Sequence, residues 1–179
     1  MRDIFELLRD HFGDDKFTGI EIGSNTGKFA RKLMLNFDLA TLWCIDPWDI
    51  DESKDLPQGV GTPESSWINW KCKLRQWRDK RIFSYRAKSW DAVSRFKNSM
   101  FDFVFIDGDH RKAAVSRDLT DWVPKVGIGG LVIGHDWTSD RWSDDVQRGV
   151  GHWLSTQRRR PEIRTDCVYM GVQCFWFVR

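Results

Sequence analysis

Residues 101–110 read Phe-Asp-Phe-Val-Phe-Ile-Asp-Gly-Asp-His (FDFVFIDGDH). From Phe101 to Ile106 the run is apolar except for Asp102 near its start. That pattern fits a central parallel strand, buried on both faces. The run ends on Asp107, Gly108, Asp109 and His110. In an open α/β sheet, ligands bind at the carboxyl ends of the strands. One decapeptide therefore predicts the fold class and where chemistry would sit.

Upstream, Phe17 to Ile22 is a short apolar run broken by Gly23. Gly23 to Gly27 then leads into Phe29, Ala30, Leu33 and Met34 at helical spacing, which reads as strand, glycine turn, helix. Leu39 to Ile45 is another apolar run, ending at Asp46 and Pro47. Residues 49–61 are polar and predict a lid loop. Thr62 and Pro63 look like a helix start, with Trp67, Trp70, Leu74 and Trp77 on its apolar face. Arg81 to Tyr85 predicts a third strand, and Ala92, Val93 and Phe96 a short helix. The first 16 residues predict an amphipathic helix with Ile4, Phe5, Leu8 and Phe12 on one face.

Downstream, Val115, Leu119, Trp122 and Val123 mark a helix. Asp118, on the side away from Leu119, reads as structural or solvated. Residues 124–130 read as a break, and Leu131 to Ile133 as a fifth strand. Ser143 reads as the cap of a helix carrying Val146, Val150, Trp153 and Leu154. Ile163 to Tyr169 and Cys174 to Val178, joined at Met170-Gly171, read as a hairpin. Alternating strands and helices predict a mostly parallel sheet with right-handed crossovers and helices on both faces. One domain over residues 1–179 is expected, without internal repeats.

Composition narrows the function classes. Apolar residues make up 41% of 179, and the formal charge is +2. Neither a nucleic-acid nor a membrane partner is implied. Arg158, Arg159 and Arg160 fit the solvated end of a helix. Cys44, Cys72, Cys167 and Cys174 form no C-x-x-C pair, and three lie in strand-like runs, as buried thiols of a reducing compartment do. No apolar stretch is long enough to span a bilayer, so a cytoplasmic protein is expected.

Four strand ends carry polar residues or glycine: Glu21 to Gly27, Asp46, Asp107 to His110, and His135-Asp136. Gly23 and Gly27 suit either an ordinary tight turn or close approach of backbone N–H groups to a ligand. Their spacing departs from the G-x-G-x-x-G dinucleotide fingerprint, because Asn25 stands at the second glycine. It departs also from a P-loop, because only three residues intervene and Phe29 follows Lys28. Asp46 suits the two hydroxyls of a ribose, or a turn ahead of Pro47. Trp48 beside it suits an adenine face.

Glu21-Ile22-Gly23-Ser24-Asn25-Thr26-Gly27 resembles the first motif of class I S-adenosylmethionine-dependent methyltransferases. FIDGDH at 105–110, Asp118-Leu119, and Gly129-Gly130-Leu131-Val132-Ile133-Gly134-His135-Asp136 resemble one branch of them, methyltransferase family 24, a small-domain group related to metal-dependent O-methyltransferases. The resemblance runs from about residue 17 to residue 155. It implies a Rossmann-like, seven-stranded sheet with the last strand reversed. It implies cofactor contacts from Glu21, Gly23, Ser24, Asn25 and Gly27, with Asp46 on the ribose and residues 87–90, Ser89 and Trp90 among them, near the adenine. Asn25 is a departure, since many relatives have glycine there. Asp107 and Asp136 match positions that hold Mg²⁺ in metal-dependent relatives, but Trp137 stands where a further ligand would be.

Methyl transfer is an in-line displacement at a sulfonium methyl, often with proton removal from the nucleophile. Asp107, His110, His135 and Asp136 are the catalytic candidates. Either His110 or His135 acts as general base, or Asp107 and Asp136 hold Mg²⁺ and lower the pKa of a bound hydroxyl. Asp109 is read as a cap of the following helix. The implied acceptor is a small hydroxylated molecule such as a sugar. The chain's small size assigns acceptor choice to loops, the first helix or a partner subunit, as in a homo-oligomer. The contrasting reading is an S-adenosylmethionine-binding module without turnover, serving as a subunit partner.

These readings predict which nucleotide stabilises the chain. S-adenosylhomocysteine at a hundredfold its dissociation constant should add about 2.7 kcal/mol of stability, whereas NAD and ATP should not shift the melting temperature. A shift with NAD and none with S-adenosylhomocysteine in a thermal-shift panel would end the cofactor reading.

Overall fold

The computed structural model describes residues 1–38, 41–48, 68, 70–71 and 82–179. The expected lid at 49–61, Cys72, and most of the helix expected from Thr62 lie outside the described residues, although Ile68, Trp70 and Lys71 are helical. The strands are β1 (Arg2–Asp3), β2 (Thr18–Ile22), β3 (Thr41–Asp46), β4 (Ile82–Arg86), β5 (Phe101–Ile106), β6 (Val126–Gly134), β7 (Arg164–Tyr169) and β8 (Val172–Val178). The helices are α1 (Ile4–Phe12), α2 (Lys28–Asn36), α3 (Ser89–Ala92), α4 (Lys112–Trp122) and α5 (Ser143–Thr156).

The strands form one sheet in the order β1-β7-β8-β6-β5-β2-β3-β4. β8 runs antiparallel to both its neighbours, and every other pairing is parallel. The reversed last strand is as expected. The eighth strand is an addition: Arg2 and Asp3 pair with Cys167 and Val168 before the chain turns into α1. The turn is set by a capping box. Asp3 accepts from the Phe5 N–H, and Glu6 accepts from the Asp3 N–H.

The period of two divides each central strand between two apolar layers. Phe103, Phe105, Leu131, Ile133, Leu42 and Cys44 pack under α1 and α2 with Leu8, Phe29 and Leu33. Ile20, Ile22, Val104, Ile106 and Val132 pack under α4 and α5 with Leu119, Trp122, Val146 and Trp153. Helices therefore cover both faces. Cys44, Cys167 and Cys174 are buried free thiols. No helix among the described residues is long and apolar enough to cross a membrane.

Two local expectations are corrected. Residues 124–130 are no full break, because β6 begins at Val126. The glycines there make an irregularity in the pairing with β5. A side chain on Gly130 would strike the Asp102 carbonyl, and Gly129 has φ +86°. Ser143 is not a cap either: Trp142 occupies the N-cap of α5, without a side-chain capping bond.

Two glycines of α5 separate packing from propensity. A Cβ on Gly149 would lie 2.7 Å from Val115 Cβ and 2.9 Å from the Lys112 carbonyl oxygen, whereas one on Gly151 meets nothing within 4 Å. Gly149→Ala should destabilise the fold by about 1–3 kcal/mol. Gly151→Ala should stabilise it by roughly 0.5–1 kcal/mol. Urea unfolding of both variants checks this, and equal effects would contradict the α4–α5 packing.

Candidate functional site

Strand periodicity builds the site. Glu21, Cys44, Phe105 and Ile133 face α1 and α2, so Gly23, Asp46, Asp107 and His135, two residues on, emerge above that layer. Hydrogen bonds beyond the strand ends hold them level. Gly23 N–H donates to Ile45 O (2.8 Å), Asp107 N–H to Ile22 O (2.8 Å), His135 N–H to Ile106 O (3.0 Å) and Ala87 N–H to Asp46 O (3.1 Å).

Asp107, His110, His135 and Asp136 come together in a closed ring. His110 Nε2 lies 3.3 Å from Asp107 Oδ1 and 2.7 Å from Asp136 Oδ2. His135 Nδ1 lies 3.3 Å and 2.9 Å from the same two oxygens. Asp136 adopts φ +58°, a left-handed turn that Asp tolerates better than most residues, and this lets consecutive residues His135 and Asp136 both join the ring. His135 Nε2 donates to the Tyr169 carbonyl (3.1 Å). A carbonyl only accepts, so Nε2 carries a proton, and Nδ1 facing two carboxylates needs one as well.

Burial opposes charge on both imidazoles. Hydrogen bonds to Asp107 and Asp136 outweigh it, raising His110 to about 9 and His135 to about 10. Burial pushes the Asp136 carboxyl up, but the two histidines hold it far below the usual carboxylate range. In this arrangement both histidines are donors, which runs against their expected role as general bases. The His110 ring also stacks on Trp142 at 5.5 Å and 18°. Trp137 turns away and packs on Phe175. Asp109 does not cap α4: Arg111 holds the N-cap, and Asp109 accepts from its backbone and side chain.

The glycine loop abuts this ring. Gly23 has φ +88°, and a Cβ on it would strike the Asp107 carbonyl. Gly27 has φ +72°, and a Cβ there would enter the Trp70 indole. Protein contacts thus demand both glycines. Asp46 accepts from the Asn25 N–H (2.8 Å) and the Trp48 N–H (2.7 Å), which orients its carboxylate. Trp48 is buried, stacked on Trp70 at 6.0 Å, with Nε1 donating to the Asn25 carbonyl. Glu21 is buried below the loop, and burial raises its pKa well above the ordinary value. Ser24 Oγ is buried too, without a hydrogen bond of good geometry among the described residues. That buried hydroxyl, the oriented Asp46 and the neighbouring carboxylates fit a polar cationic cofactor such as S-adenosylmethionine.

Ser89 begins α3, and its hydroxyl bonds Asp118 of α4. The Lys88 ammonium and the Arg117 guanidinium each lie over the Trp90 ring. Asp118 is 3% exposed, so it is not solvated. Burial raises its pKa to about 7. The signal was the spacing Val115, Asp118, Trp122, which puts an acid within an apolar helical stripe.

The sequence model of a family described as a methyltransferase domain matches residues 20–137. A curated relative, an uncharacterised protein of Acanthamoeba polyphaga mimivirus, is 26% identical over 148 residues. That match takes in 82% of this chain and 63% of the relative's length, so the chain spans less than two thirds of it. Among solved structures, the O-methyltransferase NovP is similar with a TM-score of 0.70 at 18% identity, over 98% of this chain and 78% of NovP. TomG of Streptomyces achromogenes, an O-methyltransferase involved in tomaymycin synthesis and solved with S-adenosylmethionine, gives 0.66 at 14% identity, over 97% and 77% of the two chains. An O-methyltransferase of Bacillus cereus, solved with S-adenosylhomocysteine, gives 0.65 at 14% identity, over 98% and 79%. At these identities the structural likeness is one of fold.

The Ser89–Asp118 pair should be visible in the pH dependence of stability. Asp118 titrates near 7 when folded and near 3.9 when unfolded. Its contribution is complete below the unfolded value and is lost as pH rises through the folded one, by about 1.4 kcal/mol per pH unit in between. Asp118→Asn should therefore gain stability relative to the parent as pH goes from 5 to 8. A difference that stays constant across urea titrations at pH 5, 6, 7 and 8 would remove the titrating role.

Proposed function

The chain belongs to the class I S-adenosylmethionine-dependent methyltransferases, and on that premise we propose that it transfers the sulfonium methyl to a hydroxyl of a small acceptor such as a sugar. The observation that carries this reading is the contact between Gly23 and the Asp107 carbonyl. It sets the loop expected to hold the cofactor directly against a ring of two carboxylates and two imidazoles. A nucleophile bound by that ring lies next to the methyl it would take.

The chain's own groups divide the work. Ser24 and Asp46, with the turn from Gly23 to Gly27, bind and orient the cofactor, Asp46 taking the ribose hydroxyls. Ser89 and Trp90 flank the adenine. Asp107, among the more exposed members of the ring with a side chain 25% accessible, accepts a hydrogen bond from the acceptor hydroxyl and draws its proton away. His110 and His135 hold the two carboxylates in place. Asp107 and Asp136 are the residues that would hold a divalent cation, Mg²⁺ in the simplest case. Such a cation supplies Lewis acidity that lowers the pKa of a bound hydroxyl. A cytoplasmic enzyme acting on small molecules, alone or as a homo-oligomer, is the setting we infer.

Two measurements test this. Asp46→Ala should weaken S-adenosylhomocysteine binding by about 1.5–3 kcal/mol in calorimetry while the chain stays folded, and wild-type affinity would reduce Asp46 to a turn residue. In a panel of sugar and catechol acceptors, release of S-adenosylhomocysteine should stop with EDTA, return with Mg²⁺, and be lost in Asp107→Asn. Tight cofactor binding without release on any acceptor would favour the non-catalytic module. Full activity in EDTA would retire the cation.

A further inference from the structure

The donor set of the ring is not purely oxygen, and this bears on which cation it takes. One ligand atom each from Asp107, His110 and Asp136 lie within 4.8 Å of one another. The nitrogen of His110 is 3.3 Å and 2.7 Å from the two carboxylate oxygens. Neighbouring ligands at about 2.1 Å from one octahedral ion are roughly 3.0 Å apart, so the two nitrogen–oxygen separations are close to those of ligands adjacent in one coordination sphere. Trp137, which follows Asp136, offers no side-chain oxygen and is packed on Phe175. The nitrogen beside them is His110 Nε2, its ring held parallel to Trp142; it would release its proton on taking a cation, as ligating imidazoles do.

We propose that His110 Nε2 completes the site as the third protein ligand beside Asp107 and Asp136, so that it selects a first-row transition cation of the Fe²⁺, Co²⁺ or Zn²⁺ kind over Mg²⁺. This rests on the reading that the two carboxylates take a divalent cation, and refines which one. Mg²⁺ demands oxygen ligands, whereas imidazole favours the later first-row ions. His110 suits the role better than His135. Its side chain is 24% exposed against 11%, on the open side of the ring. His135 is tied to the Tyr169 carbonyl and packed edge-on against the Tyr169 ring, so it acts as an outer partner that orients the carboxylates.

The test needs neither acceptor nor turnover. Metal-stripped protein is titrated with Co²⁺ and with Mg²⁺ by calorimetry, and proton NMR of the Co²⁺-loaded protein looks for hyperfine-shifted imidazole signals. Co²⁺ should bind about tenfold or more tighter than Mg²⁺, with one set of shifted imidazole signals. His110→Gln should lose those signals and most of the preference for Co²⁺, whereas His135→Gln should keep the signals. The wild-type spectrum alone decides against the proposal if it shows no shifted imidazole, whatever the variants do. Signals lost in His135→Gln and kept in His110→Gln would overturn the assignment to His110. Co²⁺ and Mg²⁺ bound equally, and only through Asp107 and Asp136, would overturn this inference but leave the carboxylate site standing. No binding of either cation would remove both.

Discussion

The site depends on the ladder of parallel strands running one step beyond the strands themselves. Bonds from Gly23 to Ile45, from Asp107 to Ile22, from His135 to Ile106 and from Ala87 to Asp46 tie five strand ends into one rim. Side-chain direction alternates along a strand, so a slip of one residue in any pairing would move its functional side chain to the opposite face. The large apolar side chains make such a slip costly. Phe103 and Phe105 belong under α1 and α2, Val104 and Ile106 under α4 and α5, and exchanging them would unpack both layers. The core thus sets the register, and the register sets the rim.

That dependence explains what could be read from the sequence. β5 was legible to the residue, because a strand buried on both faces is a continuous apolar run and Asp107 ends it abruptly. Asp107, His110, His135 and Asp136 were legible as candidates for the same reason: each follows such a run, and the topology brings the runs together. Their closed ring was not legible. It needs the positive φ of Asp136, which no periodicity reveals. The start of β6 was hidden because glycines read as a break, yet at Gly130 glycine is required by the nearness of the Asp102 carbonyl within the sheet. Trp48 was hidden differently. Its neighbours in sequence suggest an open rim, while its partner Trp70 comes from a segment more than twenty residues away. For Gly23 and Gly27 the sequence suggests a tight turn or a nearby ligand, whereas in the fold the Asp107 carbonyl and the Trp70 indole exclude any larger residue.

Acids at four depths show how the fold manages charge near an apolar layer. Glu21, inside the layer, has Cys44 as a weak donor at 3.5 Å, and burial drives it towards the neutral form. Asp118, on the other face, shares a serine hydroxyl and is held near neutrality of charge. Asp46, at the rim, accepts from two backbone N–H groups. Asp107 and Asp136 face two imidazoles. An unpaired buried charge is costly, so each solution matches the solvent and the donors within reach.

The ring is the extreme case. Two carboxylates this close repel each other, and a single imidazolium would leave a net negative charge beside buried Tyr169 and Phe105. Two imidazoliums within reach of the same pair of oxygens balance the charge and hold both carboxylates. These contacts orient the groups before any ligand arrives, and groups already oriented cost no reorganisation when charge develops. They also make the ring asymmetric in use. The imidazole anchored to the Tyr169 carbonyl stays with the scaffold, and the one stacked on Trp142 faces the open side.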